Sequence, residues 1–318
     1  VVMQRFVIVR ILHAVIALFA VSIIVFALAR VSGDPLDTLL DIDATEEDFA
    51  RVSAYWGLDQ PLHLQYLRYV GNIFTGNFGE SIRWQGRSAL ELLVERVPAT
   101  LELAFLSLLI SAMLALPIGV LVAVKKDTGI DYLGKLFALL GQSIPSFWLG
   151  LILMWVFAVQ LGLLPTSGRG SIFPNVAEGS FKHLILPAIT LGWFQVAALM
   201  RLIRSSMLEV LDTEYVKLAR IKGIPEWKVV WKHCLRNAMI APLTYFGLIL
   251  GGLMTGSVVT ETVFTWPGVG LLAIDALRAR DFQVVQSVVV FFAAIYILSN
   301  LIVDILYAYL DPRIRYTH

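Results

Sequence analysis

The sequence predicts an all-α integral membrane protein with six transmembrane helices. Of its 318 residues, 58% are hydrophobic and only 15% are charged, and the mean hydropathy is +0.77. One soluble core of this length could not hide that much apolar surface, whereas a bilayer accommodates it. Backbone polar groups must be satisfied inside a membrane, so apolar stretches of about 20 residues are expected to cross it as helices.

Six apolar stretches are long enough to cross a hydrocarbon layer about 30 Å thick. Pro145 predicts a kink or break in the third stretch, and Pro117 and Pro187 predict interruptions of the second and fourth. The first stretch is longer than a secretory signal core of roughly 7 to 15 residues, so we expect it to remain as a span. The predicted spans lie near Ile11 to Ala29, Leu101 to Val124, Leu133 to Leu161, Leu184 to Ile203, Met239 to Val259 and Val284 to Tyr307.

Charged residues predict the orientation of these spans. Basic residues fall on alternate connections, which face the cytoplasm under the positive-inside tendency. The opposite side then holds the long connection after the first span, which is rich in acidic residues, and both termini are expected in the cytoplasm. Outside the polar stretch described below, the basic residues are Arg5, Arg10, Lys125, Lys126, Arg313 and Arg315, and the acidic residues of the long connection are Asp34, Asp37, Asp41, Asp43, Glu46, Glu47 and Asp48.

The long connection after the first span contains helix signals of its own. Thr45 followed by Asp48 predicts a capping box before a helix from Phe49 to Trp56. A second, amphipathic pattern runs from Leu62 to Phe74. Its apolar surface is either a docking site for a soluble partner or part of a lid on the outer ends of the spans. The residues predicted to share one face are Leu62, Tyr66, Leu67, Val70 and Phe74.

The stretch from Glu214 to Asn237, here called the basic segment, is the one long polar interruption between membrane-length apolar runs. Gly223 can adopt the left-handed conformation that ends a helix and Pro225 can open the next, so two short helices meeting at a glycine turn are predicted. The charges suit a helix pair resting on anionic lipid, and a more specific observation is needed to decide. The basic residues are Lys217, Arg220, Lys222, Lys228, Lys232 and Arg236.

The sequence gives little support to an enzyme. Residues Gly129 to Leu136 match P-loop spacing except at the end, where Leu136 replaces the Ser or Thr that holds Mg²⁺, and they link two apolar spans. No two histidines have the i, i+4 spacing of a helical zinc site, and the single cysteine, Cys234, rules out an internal disulfide framework. We therefore expect no catalytic residues, metal site or cofactor in this chain.

Polar groups at membrane depth are candidates for a transport pathway, because burying them in lipid is unfavourable. Gln142 and Ser143 lie in the third predicted span, and Thr255 and Ser257 lie in the fifth. They either face a water-filled path or make hydrogen bonds between helices. Both interpretations fit the sequence.

Ionisable residues in or near the spans also allow two interpretations. Asp304 in the last span is either a proton-relay group, which would indicate a secondary transporter, or a polar anchor between helices. Glu102 and Glu261 lie close enough to span ends to be expected at the membrane interface.

A series of motifs resembles the landmarks of one transporter family, in the expected order. In the basic segment, Ala219-Arg220-x-Lys222-Gly223 and then His233-x-Leu235-Arg236-Asn237-Ala238 resemble the cytoplasmic EAA loop of ABC importer permeases, in the dipeptide, oligopeptide and nickel branch. Tyr215 and Val216 depart from the Glu-Ala-Ala triplet, which is loose in this branch. The other motifs are Gly33-Asp34-Pro35, Gly57-Leu58-Asp59-Gln60-Pro61, Asn77-Phe78-Gly79-Glu80-Ser81, Arg96-Val97-Pro98-Ala99-Thr100-Leu101-Glu102, His183-Leu184-Ile185-Leu186-Pro187, Trp266-Pro267-Gly268-Val269-Gly270 and Asp311-Pro312-Arg313-Ile314-Arg315.

The resemblance implies a permease that forms half of a translocation pathway in a bacterial inner membrane. A homologous second permease, two cytoplasmic ATPase subunits that bind ATP and Mg²⁺, and an extracytoplasmic binding protein would complete the importer, with no nucleic acid. The small Ala219 beside a glycine turn agrees, since it can seat closely in a partner's groove while nearby cations pair with acidic groups. The residues that the resemblance assigns to ATPase coupling are Glu214, Ala219, Arg220, Lys222, Gly223, His233, Leu235, Arg236 and Asn237.

The expected solute is a short peptide, with nickel or a metal chelate as the nearest alternative in the branch. A proton-coupled secondary transporter built around Asp304 is the alternative from another class, and intramembrane hydrolysis is the third. The predicted parts are the N-terminus and first span (1–30), an outer loop (31–98), a five-helix permease core (99–310) that holds the coupling loop (208–238), and a cytoplasmic tail (311–318).

Overall fold

A computed structural model shows a chain that is helical almost throughout. It describes residues 2–31, 45–169 and 176–310, without the side chains of residues 2–6, 55–56, 176–180 and 306–310. In these ranges the only extended pairing is one isolated bridge, between Glu80 and Ser88. The predicted all-helical class is confirmed. Outside the described residues lie Gly33-Asp34-Pro35, the other predicted acidic residues from Asp37 to Asp43, and the tail with its Asp311 to Arg315 motif.

The described helices include two π-helical segments. These are Met154–Gln160 and Val229–Cys234, and each directly continues the α-helix before it. The α-helices are α1 (Val2–Val31), α2 (Glu46–Trp56), α3 (Leu62–Phe74), α4 (Ala89–Val124), α5 (Gly129–Ser143), α6 (Ser146–Leu153), α7 (Val176–Leu211), α8 (Glu214–Ile221), α9 (Glu226–Lys228), α10 (Leu235–Ala238), α11 (Ile240–Gly256), α12 (Val258–Val263), α13 (Val269–Arg278) and α14 (Phe282–Leu310).

Four described helices, α1, α4, α7 and α14, are each long and apolar enough to cross a membrane. Two bent pairs raise the number to six if each pair is one span. Helix α5 meets α6 and its π-helical continuation at 101°, and the helical stretch Glu226–Ala238 meets α11 at 55°. The described structure therefore has four to six candidate crossings, whereas the sequence predicts six.

One of the three prolines lies at a break between helices, and the other two lie inside continuous helices. The chain breaks at Pro145 as predicted, because Ile144 before it is extended, with φ −80° and ψ 122°. Helices α4 and α7 run without interruption through Pro117 and Pro187, so the predicted interruptions there are wrong. A proline removes one N–H group from the helical ladder, and flanking turns and neighbouring groups compensate for that loss in membrane helices.

The chain divides into two compact units, residues 1–100 with 267–318 and residues 101–266. In the first unit, α1 packs along α14 and also contacts α3. An apolar core forms where α13 and α14 meet the first turns of α4. Its buried members are Ala89, Leu92, Leu93, Val269, Leu272, Ala276, Val284 and Val288.

A buried carboxylate fixes the connection before α4 to the start of α14, within the first unit. Asp281 has no exposed surface, and its Oδ2 accepts hydrogen bonds from the Ser81 hydroxyl and from the N–H groups of Ile82 at 3.0 Å and Arg83 at 3.2 Å. Its Oδ1 accepts from the N–H of Val284 at 3.4 Å, as a helix N-cap does. The two segments are therefore held together by one fully partnered side chain.

The predicted capping box at the start of α2 is confirmed. The N–H of Asp48 donates to Thr45 Oγ1 at 3.3 Å, and the N–H of Thr45 donates to Asp48 Oδ2 at 3.1 Å. The helix begins at Glu46, which is earlier than predicted. The bonds from Thr45 hold the pKa of the Asp48 carboxyl below its usual value.

Helix α3 packs one face against α1. The Tyr66 hydroxyl lies 2.8 Å from Ser22 Oγ, and its ring meets Phe19 and Phe26 edge-on at 5.9 and 5.4 Å. The predicted bounds of α3 are confirmed. Aromatic contacts with α1 turn the Tyr66 side inward, and the side chains left exposed are Leu62 (62%), Leu67 (63%) and Phe74 (86%).

In the second unit, α7 is the helix against which the others pack. Helices α5, α6, α10, α11 and α12 all contact it. Only Asp212 and Thr213 separate the end of α7 from α8. The central helix of this unit therefore leads directly into the basic segment.

Candidate functional site

The basic segment folds as the predicted pair of short helical stretches joined by a glycine turn. Helix α8 ends at Ile221, Gly223 has a φ of +73°, and Pro225 directly precedes α9. A Cβ atom at Gly223 would meet nothing within 4 Å. The requirement for glycine therefore lies in the backbone conformation and not in lack of space.

The basic segment has an apolar interior of its own. Val216, Val229 and Cys234 have no exposed surface, and Ala219 is 9% exposed. We expected Ala219 to offer a small surface to a partner's groove, but its side chain faces the interior of this chain. Helical periodicity brings Val216 and Ala219, three residues apart, onto the same inward face of α8.

An ion pair bridges the glycine turn. Arg220 Nη2 donates to Glu226 Oε1 at 2.8 Å, and its Nε donates to Oε2 at 3.2 Å. The Glu226 carboxylate raises the pKa of Arg220 above its usual value. Because this pair has two parallel hydrogen bonds, it defines the angle between α8 and α9.

Two further contacts involve predicted coupling residues. Lys217 Nζ donates to Glu214 Oε1 at 2.8 Å within α8, and Asn237 Nδ2 donates to the Tyr215 hydroxyl at 2.8 Å. The bond from Asn237 connects the end of the segment to its beginning. Asn237 and Tyr215, which directly follows Glu214, are thus brought together in one folded loop.

The outer surface of the segment combines apolar and basic side chains. Leu218, Ile221 and Trp227 are 51%, 81% and 65% exposed. Exposed apolar groups among charged ones are typical of a surface that contacts another protein. Of the other predicted coupling residues, Lys222 and Arg236 are exposed, and His233 and Leu235 are half-buried.

Gln142 and Ser143 lie at the end of α5, where the third apolar stretch breaks. They line a cavity of about 270 Å³ together with Thr190, Trp193 and Phe194. The Gln142 side chain also takes part in a contact with α7, described below. The Ser143 hydroxyl donates to the carbonyl of Leu139 at 2.8 Å. The structure therefore brings these two predicted pathway residues to one cavity.

Thr255 and Ser257 lie elsewhere and make local hydrogen bonds. Thr255 Oγ1 donates to the carbonyl of Gly252 at 3.1 Å, and the Ser257 hydroxyl donates to Glu261 Oε1 at 2.7 Å. Ser257 and Glu261 have no exposed surface. Glu261 is therefore buried and partnered inside the second unit.

Asp304 in the last span forms an ion pair with Arg10 of α1. Its Oδ2 lies 3.1 Å from Arg10 Nη1, and both helices belong to the first unit. A cation–carboxylate contact between two apolar helices is the geometry expected of a polar anchor. The cation of this pair comes from α1.

Sequence reasoning missed three charged residues of the second unit. Arg201 and Arg204 are one turn apart on α7, and Asp131 near the start of α5 is fully buried. In the sequence, Asp131 is distinguished only as a member of the P-loop-like stretch from Gly129 to Leu136. Two arginines at helical spacing at the end of an apolar run were the signal that could have revealed this cluster.

Two family models match the chain over most of its length. Residues 115–316 match the inner membrane component of binding-protein-dependent transport systems, and residues 3–104 match the N-terminal part of such membrane components. The chain belongs to this family. It is therefore a permease, a multi-pass inner-membrane subunit of an ABC importer, as its motifs predicted.

Relatives of this permease are similar to it over nearly their whole length. It is 39% identical over 318 residues to the oligopeptide transport system permease protein AppB of Bacillus subtilis, covering 99% of this chain and 100% of that one. It is 42% identical over 319 residues to the di/tripeptide transport system permease protein DppB of Pseudomonas aeruginosa, covering 94% and 95%.

A solved structure is similar to the permease in fold. A chain of the MetNI methionine ABC transporter, in an inward-facing conformation, aligns with a TM-score of 0.54 and 21% identity, covering 69% of this chain and 96% of that chain. This likeness shows the fold of an ABC transporter membrane subunit.

Proposed function

We propose that this permease forms half of the translocation pathway of an ABC importer for short peptides, which an extracytoplasmic binding protein delivers. The observation that carries the proposal is the near full-length similarity to permeases named for oligopeptide and for di- and tripeptide transport. Nickel or a metal chelate is the alternative solute within the branch. The ion pair of Asp304 with Arg10 supports an anchoring role for Asp304 and so disfavours a proton-coupled transporter.

In this proposal, the basic segment receives force from two cytoplasmic ATPase subunits that bind ATP and Mg²⁺. Its exposed Leu218, Ile221 and Trp227 would enter a groove of the ATPase, and the surrounding cations would pair with acidic groups there. Helix α7 leads into the segment with only Asp212 and Thr213 between them, so a displacement of α8 reaches α7 directly. The residues proposed for coupling are those that the EAA resemblance assigned.

The proposed organisation has six spans, with each bent helix pair counted as one, and both termini in the cytoplasm. Residues 31–98 would lie outside, residues 99–310 would form the core around the coupling loop 208–238, and residues 311–318 would form the tail. A homologous second permease would complete the pathway. The cavity lined by Gln142 and Ser143 supports a place for these two residues on the solute path.

Uptake by the purified importer tests the solute and the energy source. The complex is reconstituted in liposomes with its binding protein, and uptake of a labelled dipeptide and of a nickel chelate is measured with and without internal ATP. We expect dipeptide uptake that requires ATP and the binding protein and does not change when a protonophore is added. Uptake of the nickel chelate alone would select the alternative solute, and loss of uptake on adding the protonophore would contradict an ATP-driven importer.

Cross-linking tests the contact with the ATPase. Ile221→Cys places a thiol on the exposed side of α8, where Ile221 is 81% exposed. Leu67→Cys places a control thiol on α3, where Leu67 is 63% exposed. The native Cys234 is fully buried and adds little background. We expect a bifunctional thiol–amine reagent to join Ile221→Cys, but not Leu67→Cys, to an ATPase subunit. Equal labelling of the ATPase from both positions, or none from Ile221→Cys, would contradict the coupling role.

A further inference from the structure

A buried carboxylate joins α5 to α7 in the second unit. Asp131 has no exposed surface. Its Oδ1 accepts a hydrogen bond from Arg204 Nε at 2.8 Å, and its Oδ2 accepts from Arg204 Nη2 at 3.0 Å. Lys135 Nζ lies 2.9 Å from the same Oδ2, and the N–H of Asp127 donates to it at 3.1 Å.

The bidentate pair between Arg204 and Asp131 restricts how α7 and α5 can be oriented relative to each other. The two parallel bonds from Arg204 match the carboxylate in distance and plane, which a single amine could not do. The Arg204 side chain is only 19% exposed, so water competes weakly for the pair. Removing the charge of Asp131 would leave a largely buried guanidinium without its carboxylate, which is unfavourable.

The interface between Asp131 and Gln142 is close-packed. A Cβ atom built on Gly141 would lie 2.8 Å from the Cβ of Ala197, so the two helix backbones approach closely there. The rings of Phe137 and Trp193 meet edge-on with centroids 5.1 Å apart. Small residues that let backbones approach are a common basis for tight contact between membrane helices.

A second polar contact closes the far end of the interface. Arg201 Nη1 donates to Gln142 Oε1 at 3.1 Å. Contacts between the two helices therefore extend from Asp131 to Gln142, which is nearly the whole of α5. Directly beyond Gln142 the chain breaks at Ile144 and Pro145.

We propose that Asp131 is a positioning residue that fixes α5 to α7, so that the two helices move as one body when the basic segment is displaced. The proposal rests on the proposed coupling role of that segment. A displacement of α8 passes to α7, which ends at Leu211 with only two residues between the helices, and the Asp131–Arg204 pair carries it into α5. It thereby reaches the cavity at Gln142 and Ser143.

Substitution of the carboxylate is the first part of the test. Asp131→Asn keeps the shape of the side chain and removes its charge. The control Glu102→Gln breaks a more exposed carboxylate–arginine pair, with Arg169, that does not involve α5 or α7. In reconstituted importer, we expect Asp131→Asn to lower the number of peptides taken up per ATP hydrolysed by about ten-fold. Glu102→Gln is expected to leave this ratio unchanged. An unchanged ratio in Asp131→Asn would overturn the proposal.

A disulfide across the interface separates positioning from general stability. Gly141→Cys with Ala197→Cys needs a shift of about 1 Å to reach a Cβ separation of about 3.8 Å. We expect oxidation of this pair to leave uptake unchanged when Asp131 is present, and to restore uptake when Asp131→Asn is added. Loss of uptake on oxidation with Asp131 present would show that α5 and α7 must separate, and failure to restore uptake would show that Asp131 acts otherwise. Either result overturns the proposal.

Two controls keep these outcomes distinct. If the reduced Gly141→Cys, Ala197→Cys permease is inactive, a comparison of Asp131→Glu, which keeps the charge, with Asp131→Asn replaces it. We expect more peptide taken up per ATP hydrolysed in the glutamate variant, and an equal ratio in the two variants would overturn the proposal. The Ile221→Cys cross-link to the ATPase is repeated in Asp131→Asn permease. An intact cross-link with reduced uptake supports a defect beyond the basic segment, whereas absence of the cross-link even with Asp131 present contradicts the proposed function itself.

Discussion

The guanidinium of Arg220 reaches over the Gly223 turn to the carboxylate of Glu226, at 2.8 Å for Nη2 to Oε1 and 3.2 Å for Nε to Oε2. Both side chains are about half exposed, at 42% and 54%. A pair in such a position contributes less than about 1 kcal/mol to stability. Its significance therefore lies in the angle that it sets between α8 and α9.

We predict that Arg220→Gln lowers ATP-dependent uptake several-fold while changing the free energy of unfolding by less than about 1 kcal/mol. The reason is that the turn remains but its angle is no longer fixed. Uptake in proteoliposomes and thermal unfolding in detergent measure the two quantities. Lys217→Gln is the control, because it breaks an ion pair within α8 and leaves the turn intact. Equal losses of uptake in both variants would rule out a special role for the turn.

Gly223→Val is expected to insert and assemble but to lose coupled uptake. A β-branched residue at a φ of +73° strains the backbone by about 1–3 kcal/mol, which forces the turn into another shape. Gly223→Asn is the matched control, since asparagine adopts positive φ more readily. Pull-down of the ATPase subunits measures assembly. Normal uptake by the valine variant would count against the coupling role of the segment.

Asp304→Asn is expected to reduce the thermal stability of the permease by about 0.5–2 kcal/mol, because the ion pair with Arg10 joins α1 to α14. Uptake by the remaining folded protein stays ATP-dependent and insensitive to a protonophore. The exchange of Arg10→Asp with Asp304→Arg recovers part of the stability. If Asp304→Asn instead keeps its stability and abolishes uptake, Asp304 participates in transport and is not an anchor.

Two tyrosines of α3 provide a matched pair of predictions. Tyr66→Phe removes the contact of its hydroxyl with Ser22 at 2.8 Å and is expected to destabilise the permease by about 0.5–1.5 kcal/mol. The Tyr69 hydroxyl is buried without a hydrogen-bond partner among the described residues. Tyr69→Phe is therefore expected to be neutral or stabilising. Thermal unfolding of both variants measures the difference, and the reverse order would contradict the packing described for α3.

The same tyrosine predicts a pH dependence. Burial raises the pKa of Tyr69 from 10.0 to about 12. Because the folded-state pKa is the higher one, the unfolded chain ionises first. The free energy of unfolding is therefore independent of this group below pH 10 and falls as the pH rises toward 12. The melting temperature of the native permease is expected to fall more between pH 9 and pH 11 than that of Tyr69→Phe. An equal fall in melting temperature for the native permease and for Tyr69→Phe would show that Tyr69 titrates as an exposed group.

Features set by neighbouring residues were predictable from the sequence. The Thr45 capping box, the left-handed Gly223 and the break at Pro145 each depend on a few adjacent residues, and the structure has all three. The apolar runs predicted the helical class because burial in a membrane depends mainly on composition. The order of the motifs predicted the family.

Features set by contacts between distant residues were not predictable. Asp131 and Arg204 are separated by 73 positions, and no local pattern pairs them. The inward turn of Tyr66 depends on the aromatic side chains of α1, and the burial of Ala219 depends on how the basic segment folds back on itself. The local expectation that a proline interrupts a helix also failed at Pro187, because α7 has enough flanking turns to continue through it.

The closed interior of the basic segment, with Val216, Val229 and Cys234 fully buried, has a consequence for assembly of the importer. A surface that is already ordered loses little conformational entropy on association, so little of the binding free energy is spent on ordering it. The rate of docking is then governed by encounter and orientation and not by a folding step in this subunit.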